Sequence, residues 1–367
     1  MTEAVLFNEL ITENSQKIGV VTLNAEKSLN ALNQAMVDAI YARLTQWKTD
    51  DSVVCVFMDG QGEKAFCAGG DIRTLRQSVI DGDTGAPLRF FAKEYRLDYL
   101  IHTFNKPVIC WGNGFVMGGG IGLMSGATYR VVTDTSLLAM PEINIGLYPD
   151  VGGSWVLGHM PVRIGLFMAL TGCHLNAGDA MYLGLANRFI DHAFRPNVLE
   201  ALQKADWQTL DAHEAVYNIM HRFDHESAGW LPYSKIREYR DAIAQWMDKP
   251  SLPAIMEQLE NLESDDEWLI TARKNALTGS PLSAFIAYEQ LKRTHHLSLR
   301  QAFMGELVLS VNCSLRGDLN EGVRALLVDK DKQPKWQFAS VKDVNAETLE
   351  QFFQPPWGNA DHPLSDM

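Results

Sequence analysis

The chain has 367 residues, of which 46% are hydrophobic and 21% are charged, and this composition excludes a disordered or low-complexity protein. A formal net charge of -13 argues against general binding to nucleic acid or to an anionic membrane. The cysteines are widely spaced and form no CxxC pair, so a reducing, cytoplasmic location is expected. The N-terminal stretch carries glutamates and no basic residue, so no targeting peptide is expected, and no apolar run reaches the roughly 18 residues of a membrane span.

The first part of the chain alternates short apolar runs, glycine clusters and amphipathic stretches, which predicts an α/β core. In chain order the pattern predicts strands at 5–11, 18–23, 53–58, 108–111, 130–133 and 137–139, with helices around 36–47 and 90–104. Later windows, at 200–207, 213–223, 236–246 and 283–292, predict helices only. We therefore expect a core over 1–200 and a mostly helical extension over 201–367, with the Pro-rich residues 354–367 loosely ordered.

Two glycine-rich segments, 65–72 and 113–122, each follow a predicted strand and open a predicted helix. Absent side chains let a ligand approach the backbone, and free amides at a helix start suit a developing oxyanion. The first segment by itself also fits an ordinary strand–turn–helix junction capped by Asp71. The second lacks the third glycine and the acidic residue of a dinucleotide fingerprint. Together the two segments fit a pair of oxyanion donors.

Two carboxylates, Glu142 and Asp150, lie eight residues apart in a segment punctuated by proline and glycine. Apolar neighbours would raise the pKa of Glu142 by desolvation, which suits acid–base chemistry. Asp150 stands just before two glycines and also fits a helix cap. The residues alone leave both readings open, chemistry and capping.

Other kinds of chemistry lack their residues. His213, Glu214 and His221 do not have the spacing of H-E-x-x-H, and no metal site or cofactor is expected. The chain has neither a G-x-S-x-G elbow nor a G-x-x-x-x-G-K-[ST] loop. Cys67 has no histidine near it in sequence, so a small packed side chain is a better interpretation than a nucleophile.

Six segments together resemble the crotonase (enoyl-CoA hydratase/isomerase) superfamily. They are LNAEKSLNAL at 23–32, FCAGGDI at 66–72, NKPV at 105–108, MGGG at 117–120, PEINIG at 141–146, and LTG at 170–172 with GLA at 184–186. The resemblance implies a spiral core of ββα repeats, an acyl-CoA ligand, and an oxyanion hole for its thioester carbonyl. It implies that the amides of Gly70 and Gly119 are the two donors, and that Lys27 and Ala68 help to bind the substrate.

The departures from that family are informative. Its hydratases use two glutamates, and this chain has Gly122 at the first position and Glu142 at the second. Asp150 stands where hydratases usually have glycine, and Ala25-Glu26 replaces the usual Arg-Pro. With these features and the segments 280–281, 321–325, 329–331 and 334–336, the chain is similar to the 3-hydroxyisobutyryl-CoA hydrolase subfamily. That similarity implies that Glu94 also lines the substrate pocket.

The resemblance implies hydrolysis of 3-hydroxyisobutyryl-CoA, or of 3-hydroxypropionyl-CoA, to the free acid and CoA, as in valine catabolism. Glu142 would be either a general base or a nucleophile that forms a mixed anhydride, and Asp150 would hold the 3-hydroxyl or orient water. The alternatives are an enoyl-CoA hydratase or isomerase with one glutamate, and a silent acyl-CoA-binding protein. A homo-oligomer, whether dimer, trimer or hexamer, is also left open.

Overall fold

In the computed structural model, residues 3–358 and 360–367 are described. They form the strands β1 Val5–Ile11, β2 Lys17–Leu23, β3 Val53–Gly60, β4 Ala65–Cys67, β5 Val108–Gly112, β6 Phe115–Met117, β7 Tyr129–Val132, β8 Leu137–Ala139 and β9 Arg188–Phe189. The helices are α1 Gln34–Thr49, α2 Ile72–Ile80, α3 Ala86–His102, α4 Gly119–Ser125, α5 Gly153–Gly158, α6 Ile164–Thr171, α7 Ala177–Leu183, α8 Arg195–Lys204, α9 Ala212–Ser227, α10 Lys235–Met247, α11 Leu252–Glu260, α12 Glu267–Thr278, α13 Pro281–Thr294, α14 Leu299–Arg316, α15 Leu319–Val323 and α16 Ala346–Phe352.

The strands form two sheets. One sheet has the order β1-β2-β3-β5-β7-β9, in which β1 and β2 are antiparallel and the other pairs are parallel. The other sheet has the order β4-β6-β8. The pairs β3/β4, β5/β6 and β7/β8 each give their first strand to the larger sheet and their second strand to the smaller one, whereas β1 and β2 both lie in the larger sheet. A helix follows each pair along the chain. This is the ββα repeat that the family resemblance implied.

Spatial contacts divide the chain into two compact units. The first holds the described residues of Met1–Gly70, Leu97–Leu138 and Leu175–Glu238, and the second holds those of Asp71–Arg96, Ala139–His174 and Tyr239–Met367. Each unit draws segments from both sides of residue 200. The expected core over 1–200 and extension over 201–367 are segments of the sequence and not these spatial units. That division stays a prediction.

The core of the first unit lies between the larger sheet and the helices α8 and α9. The sheet contributes buried side chains that include Ile18, Phe57, Trp111 and Val131, and the helices contribute Val198, Leu202, Val216, Met220 and Phe223. Burying each such side chain stabilises the fold by about 1.5–3 kcal/mol relative to leaving it exposed. The continuous apolar run of β3 is explained by this burial, because parallel strands are covered on both faces.

The second unit consists mostly of helices packed on one another. Helix α13 packs against α5 and α6, and α14 packs against α5. Helix α14 begins with a capping box, in which the Ser298 hydroxyl accepts from the Gln301 amide and the Gln301 side chain accepts from the Ser298 amide. Between Ala302 and Ser314 nearly every residue of α14 is buried, the polar ones included.

The C-terminal segment differs from expectation. Residues 354–367 are expected to be loosely ordered, and for the described residues of this segment that expectation is wrong. Arg96 donates to the Pro363 carbonyl at 2.6 Å, and the His362 ring donates to the Met304 carbonyl at 3.0 Å. The Leu364 side chain is fully buried. Proline and polar residues indicate loose order only where their backbone finds no partners, and here side chains supply them.

Candidate active site

The predicted oxyanion donors Gly70 and Gly119 lie in the first unit, in turns that follow two paired strands. Strands β4 and β6 are parallel, with Cys67 opposite Val116, so their carboxyl ends meet at one edge of the smaller sheet. A side-chain carbon on Gly69 would lie 3.4 Å from the Met117 carbonyl oxygen and 3.8 Å from the Gly119 nitrogen. The structure thus brings the two turns into direct contact.

Both turns depend on glycine. Gly69 has φ +108°, a conformation that residues with a side chain rarely adopt, and a side-chain carbon on Gly120 would collide with the Cys67 carbonyl oxygen. In the part of the chain that the structure describes, neither the Gly70 amide nor the Gly119 amide donates to a protein group. Gly119 is the first residue of α4, where backbone amides have no partner within the helix. Two free amides in neighbouring turns can stabilise an oxyanion.

Lys27 and Ala68 lie in adjoining segments of the same unit. The Ala68 amide donates to the Leu29 carbonyl at 3.0 Å, which ties the turn carrying Lys27 to the glycine segment. The buried Asn30 side chain fixes that turn, because it donates to the Ala65 carbonyl at 2.9 Å and accepts from the Ala25 amide at 2.9 Å. Lys27 itself is exposed, so its ammonium group is available to an anionic ligand.

The three predicted carboxyl groups lie in the second unit, and all of them are buried. Glu142 is 4% exposed, Asp150 is 4% exposed and Glu94 is 2% exposed. Burial raises the pKa of Glu142 and of Glu94 well above the usual value, and the negative charge of Asp150 raises both further. All three carboxyl groups are therefore buried, and the charge of Asp150 disfavours ionisation of both glutamates.

The hydrogen bonds of these carboxyl groups differ. One oxygen of Glu142, Oε2, and one of Glu94, Oε1, are buried without a hydrogen-bond partner among the described residues. Asp150 Oδ2 accepts a hydrogen bond from the Tyr95 hydroxyl at 2.6 Å. Burial raises the pKa of Asp150 to about 6, and the Tyr95 donor opposes that rise. Buried oxygens without partners are unusual and mark Glu142 and Glu94 as groups that can bind a ligand or a water.

The capping interpretation of Asp150 does not hold. The N-cap of α5 is Gly152, and the Asp150 carboxylate faces Tyr95. The Ser310 hydroxyl lies 2.6 Å from the Tyr95 hydroxyl and 2.9 Å from the Tyr148 hydroxyl. Asp150 is therefore the end of a buried chain of hydroxyl groups, not a helix cap.

Sequence reasoning missed Tyr95, Tyr148, Glu306 and Ser310. Glu306 and Ser310 belong to α14, far along the chain from Asp150. One signal was present: polar residues interrupt an otherwise apolar stretch of that helix, and buried polar groups need partners. The pattern does not say which partners those are.

Two negative findings concern only residues 3–358 and 360–367. No three His, Cys, Asp or Glu side chains there are grouped so that they could hold a metal ion. None of the helices in these residues combines the length and the apolar character that crossing a membrane requires. The expected lack of a metal or cofactor stays a prediction.

Comparisons with known proteins agree with the geometry. Residues 18–353 match the family described as enoyl-CoA hydratase/isomerase. The chain is 36% identical to the mitochondrial 3-hydroxyisobutyryl-CoA hydrolase of Danio rerio over 351 residues, which cover 94% of this chain and 89% of the relative. It is 35% identical to the protein of the same name from Homo sapiens over 350 residues, covering 94% and 88%.

Solved structures give the same result for the fold. An enoyl-CoA hydratase from Rhodobacter sphaeroides matches with a TM-score of 0.83 and 32% identity, covering 97% of this chain and 98% of that one. A carnitinyl-CoA dehydratase from Mycobacterium thermoresistibile matches with a TM-score of 0.84 and 32% identity, covering 96% and 97%. The predicted fold class, a crotonase-like α/β core with a helical C-terminal region, is confirmed.

One prediction is corrected by the relatives. Both hydrolases are named as mitochondrial proteins, so the predicted cytoplasmic location is wrong. Cysteine usage indicates a reducing environment and does not distinguish one reducing compartment from another.

Proposed function

This chain belongs to the enoyl-CoA hydratase/isomerase family, and on that premise we propose that it hydrolyses the thioester of 3-hydroxyisobutyryl-CoA to the free acid and CoA. The observation that carries the proposal is the pair of buried carboxyl groups Glu142 and Asp150, the second of which raises the pKa of the first, together with Gly122. Addition of water to a double bond in this family uses a second glutamate at position 122, and that carboxylate is missing. The names of the relatives support hydrolysis, and valine catabolism is the pathway that we propose for it.

The main chemical roles are assigned to backbone amides and carboxyl groups that lack a hydrogen-bond partner among the described residues. The Gly70 and Gly119 amides stabilise the oxyanion of the tetrahedral intermediate, at about 2.7–4 kcal/mol for each donor. Glu142, with a raised pKa and an unpartnered oxygen, either takes a proton from water or attacks the carbonyl carbon itself. As a base, Glu142 then returns the proton to the thiolate that leaves as the C–S bond breaks. As a nucleophile, it forms a mixed anhydride while the C–S bond breaks, and water then hydrolyses the anhydride to the free acid and the Glu142 carboxylate. Glu94 and Lys27 contribute to substrate binding.

The most direct test supplies 3-hydroxyisobutyryl-CoA and crotonyl-CoA to the same enzyme preparation. We expect release of free thiol from the first substrate and no loss of the conjugated enoyl absorbance with the second. The same rate after dialysis against EDTA is expected, because we propose no metal or cofactor. Consumption of crotonyl-CoA without thiol release would instead identify a hydratase, and inactivity on both substrates would favour a silent acyl-CoA-binding protein.

Asp150→Asn is expected to lower kcat/KM on 3-hydroxyisobutyryl-CoA by at least about tenfold, equivalent to about 1.4 kcal/mol. We propose that the Asp150 carboxylate accepts a hydrogen bond from the 3-hydroxyl group, and a site built for a hydroxyl rejects the analogue that lacks it. The rate on isobutyryl-CoA should therefore change much less. An equal loss on both substrates would mean that Asp150 acts on water or on Glu142.

Tyr95→Phe is expected to move the acid limb of the pH–rate profile to higher pH. The Tyr95 hydroxyl donates to Asp150 and thereby holds down a pKa that burial raises to about 6. Without that donor the pKa of Asp150 rises, so the carboxylate form is lost at a higher pH as the solution is acidified. Measurement of kcat/KM between about pH 5 and pH 8 checks this. If the acid limb does not shift, the titration that causes it does not belong to Asp150.

Further expectations about partners remain proposals. We propose that the protein binds neither nucleic acid nor membranes, in keeping with its net charge of -13. A homo-oligomer and a second substrate, 3-hydroxypropionyl-CoA, are also proposals. The second substrate differs from the first by one methyl group, which typically changes specificity by only about 1–3 kcal/mol.

A further inference from the structure

The backbone immediately after Asp150 has an unusual conformation. Val151 has φ +54° and Gly152 has φ +80°, so two consecutive residues are left-handed. Glycine adopts this region freely, but a β-branched residue such as valine is a strong outlier there. The Asp150 carbonyl accepts from the Gly153 amide at 2.7 Å, which closes the turn. A strained turn persists only where its surroundings hold it in place.

One side chain from α14 accepts hydrogen bonds from a residue within this turn and from the residue that follows it. Glu306 Oε2 accepts from the Gly152 amide at 2.7 Å, and Glu306 Oε1 accepts from the Ser154 amide at 3.0 Å. The Ser154 hydroxyl also donates to Glu306 Oε1. The Glu306 side chain is fully buried. We refer to these three hydrogen bonds as the Glu306 clamp.

The same face of α14 supports the other neighbours of Asp150. Phe303, Glu306 and Ser310 are three and four residues apart, so they lie on one face of the helix. The Phe303 ring lies 5.7 Å from the Tyr95 ring, centre to centre, and Ser310 lies 2.6 Å from the Tyr95 hydroxyl. The Glu306 carbonyl accepts from the Tyr148 hydroxyl at 2.7 Å. This face therefore fixes both the turn that carries Asp150 and the hydroxyl that donates to it.

We propose that Glu306 is a positioning residue for Asp150, and that its clamp on the left-handed turn sets the preference for a 3-hydroxyacyl group. The proposal rests on the proposed function, because the preference is read from thioester hydrolysis. In this proposal Glu306 makes no contact with the substrate. It acts through the backbone of Val151 and Gly152, whose conformation determines where the Asp150 carboxylate points.

Two isosteric variants of α14 form a matched pair for the test. In Glu306→Gln a side-chain amide faces the Gly152 and Ser154 donors. Its NH₂ group cannot accept a hydrogen bond, and its oxygen is a weaker acceptor than a carboxylate oxygen. Asn312 is equally buried in α14, but its side chain donates to the Phe352 and Gln354 carbonyls, at 2.8 and 2.9 Å, and not to the clamp. Asn312→Asp likewise replaces a donating amide group with a carboxylate oxygen, which cannot donate to the carbonyl oxygens that it faces. Both changes leave an imperfectly paired polar group and should lower Tm.

Only Glu306→Gln should change the substrate preference. We expect it to lower kcat/KM on 3-hydroxyisobutyryl-CoA by at least about fivefold and on isobutyryl-CoA by less than about twofold, a partial form of the Asp150→Asn effect. In the Asp150→Asn background the same change should cost little more, because the two residues act as one unit. Amide exchange at Gly152 and Ser154 should accelerate in Glu306→Gln and stay unchanged in Asn312→Asp.

The proposal is overturned if folded Glu306→Gln keeps the wild-type preference, or if Asn312→Asp shifts the preference as much. Where Glu306→Gln does not fold, Ser154→Ala removes one donor of the clamp and should shift the preference in the same direction by at least about twofold. An unchanged preference in Ser154→Ala then counts against the proposal. If the wild-type enzyme releases no thiol from either substrate, the proposed function fails, and the exchange of Gly152 and Ser154 decides whether the clamp exists.

Discussion

Glu142→Gln is expected to lower kcat on 3-hydroxyisobutyryl-CoA by about 10²–10⁴-fold, the usual contribution of a general base. The Glu142 side chain is buried, one of its oxygens has no partner, and burial raises its pKa well above the usual value. Glutamine keeps the shape of this side chain and can neither accept a proton nor form an anhydride. Thiol release under saturating substrate measures the loss.

Binding should survive the same change, because the amide occupies the same volume and removes a buried carboxyl group. Affinity for a non-hydrolysable thioether analogue of the substrate is expected to stay within about threefold of wild type. Glu350→Gln is the matched control: it is the same substitution at an exposed residue that pairs with Arg293, and exposed pairs contribute about 0–1 kcal/mol. If Glu142→Gln keeps more than about half of the wild-type rate, Glu142 is neither base nor nucleophile.

The elements that could be predicted are those whose residues carry a local pattern. The apolar residues that defined the first predicted helix, from Met36 to Trp47, are the buried residues of α1. The glycine segments could also be located, because a left-handed turn such as that at Gly69 restricts the residue type at that position itself. Glu142 could also be located, because its apolar neighbours in sequence predict a buried carboxyl group, and its side chain is buried.

The support of Asp150 could not be predicted in this way. Its sequence neighbourhood fitted a helix cap as well as a functional carboxylate, and the choice depends on which group bonds the Gly152 amide. That group is Glu306, more than 150 positions away in sequence. Ser310, equally remote, lies 2.6 Å from the hydroxyl that donates to Asp150. Contacts over such separations leave no periodic signal near either partner, so only the tertiary structure decides between the two readings.

Gly119→Pro is expected to lower kcat by about 10²–10³-fold, the effect of removing one oxyanion donor. Proline has no N–H, and the Gly119 amide is one that no protein group uses among the described residues. Because Gly119 is the first residue of α4, proline fits the helix start, where its fixed backbone angle is favourable. The loss should therefore appear in a protein whose circular dichroism spectrum is unchanged.

The control for this change is Ala346→Pro, which introduces proline at the first residue of another helix, α16, at an exposed position. We expect that variant to keep the wild-type rate, because the only thing it shares with Gly119→Pro is the loss of a helix-start amide. A folded Gly119→Pro enzyme that retains more than about a tenth of the wild-type kcat would remove Gly119 from the oxyanion hole. The Gly70 amide also has no protein acceptor among the described residues, so we expect Gly119→Pro to retain part of the oxyanion stabilisation through that amide.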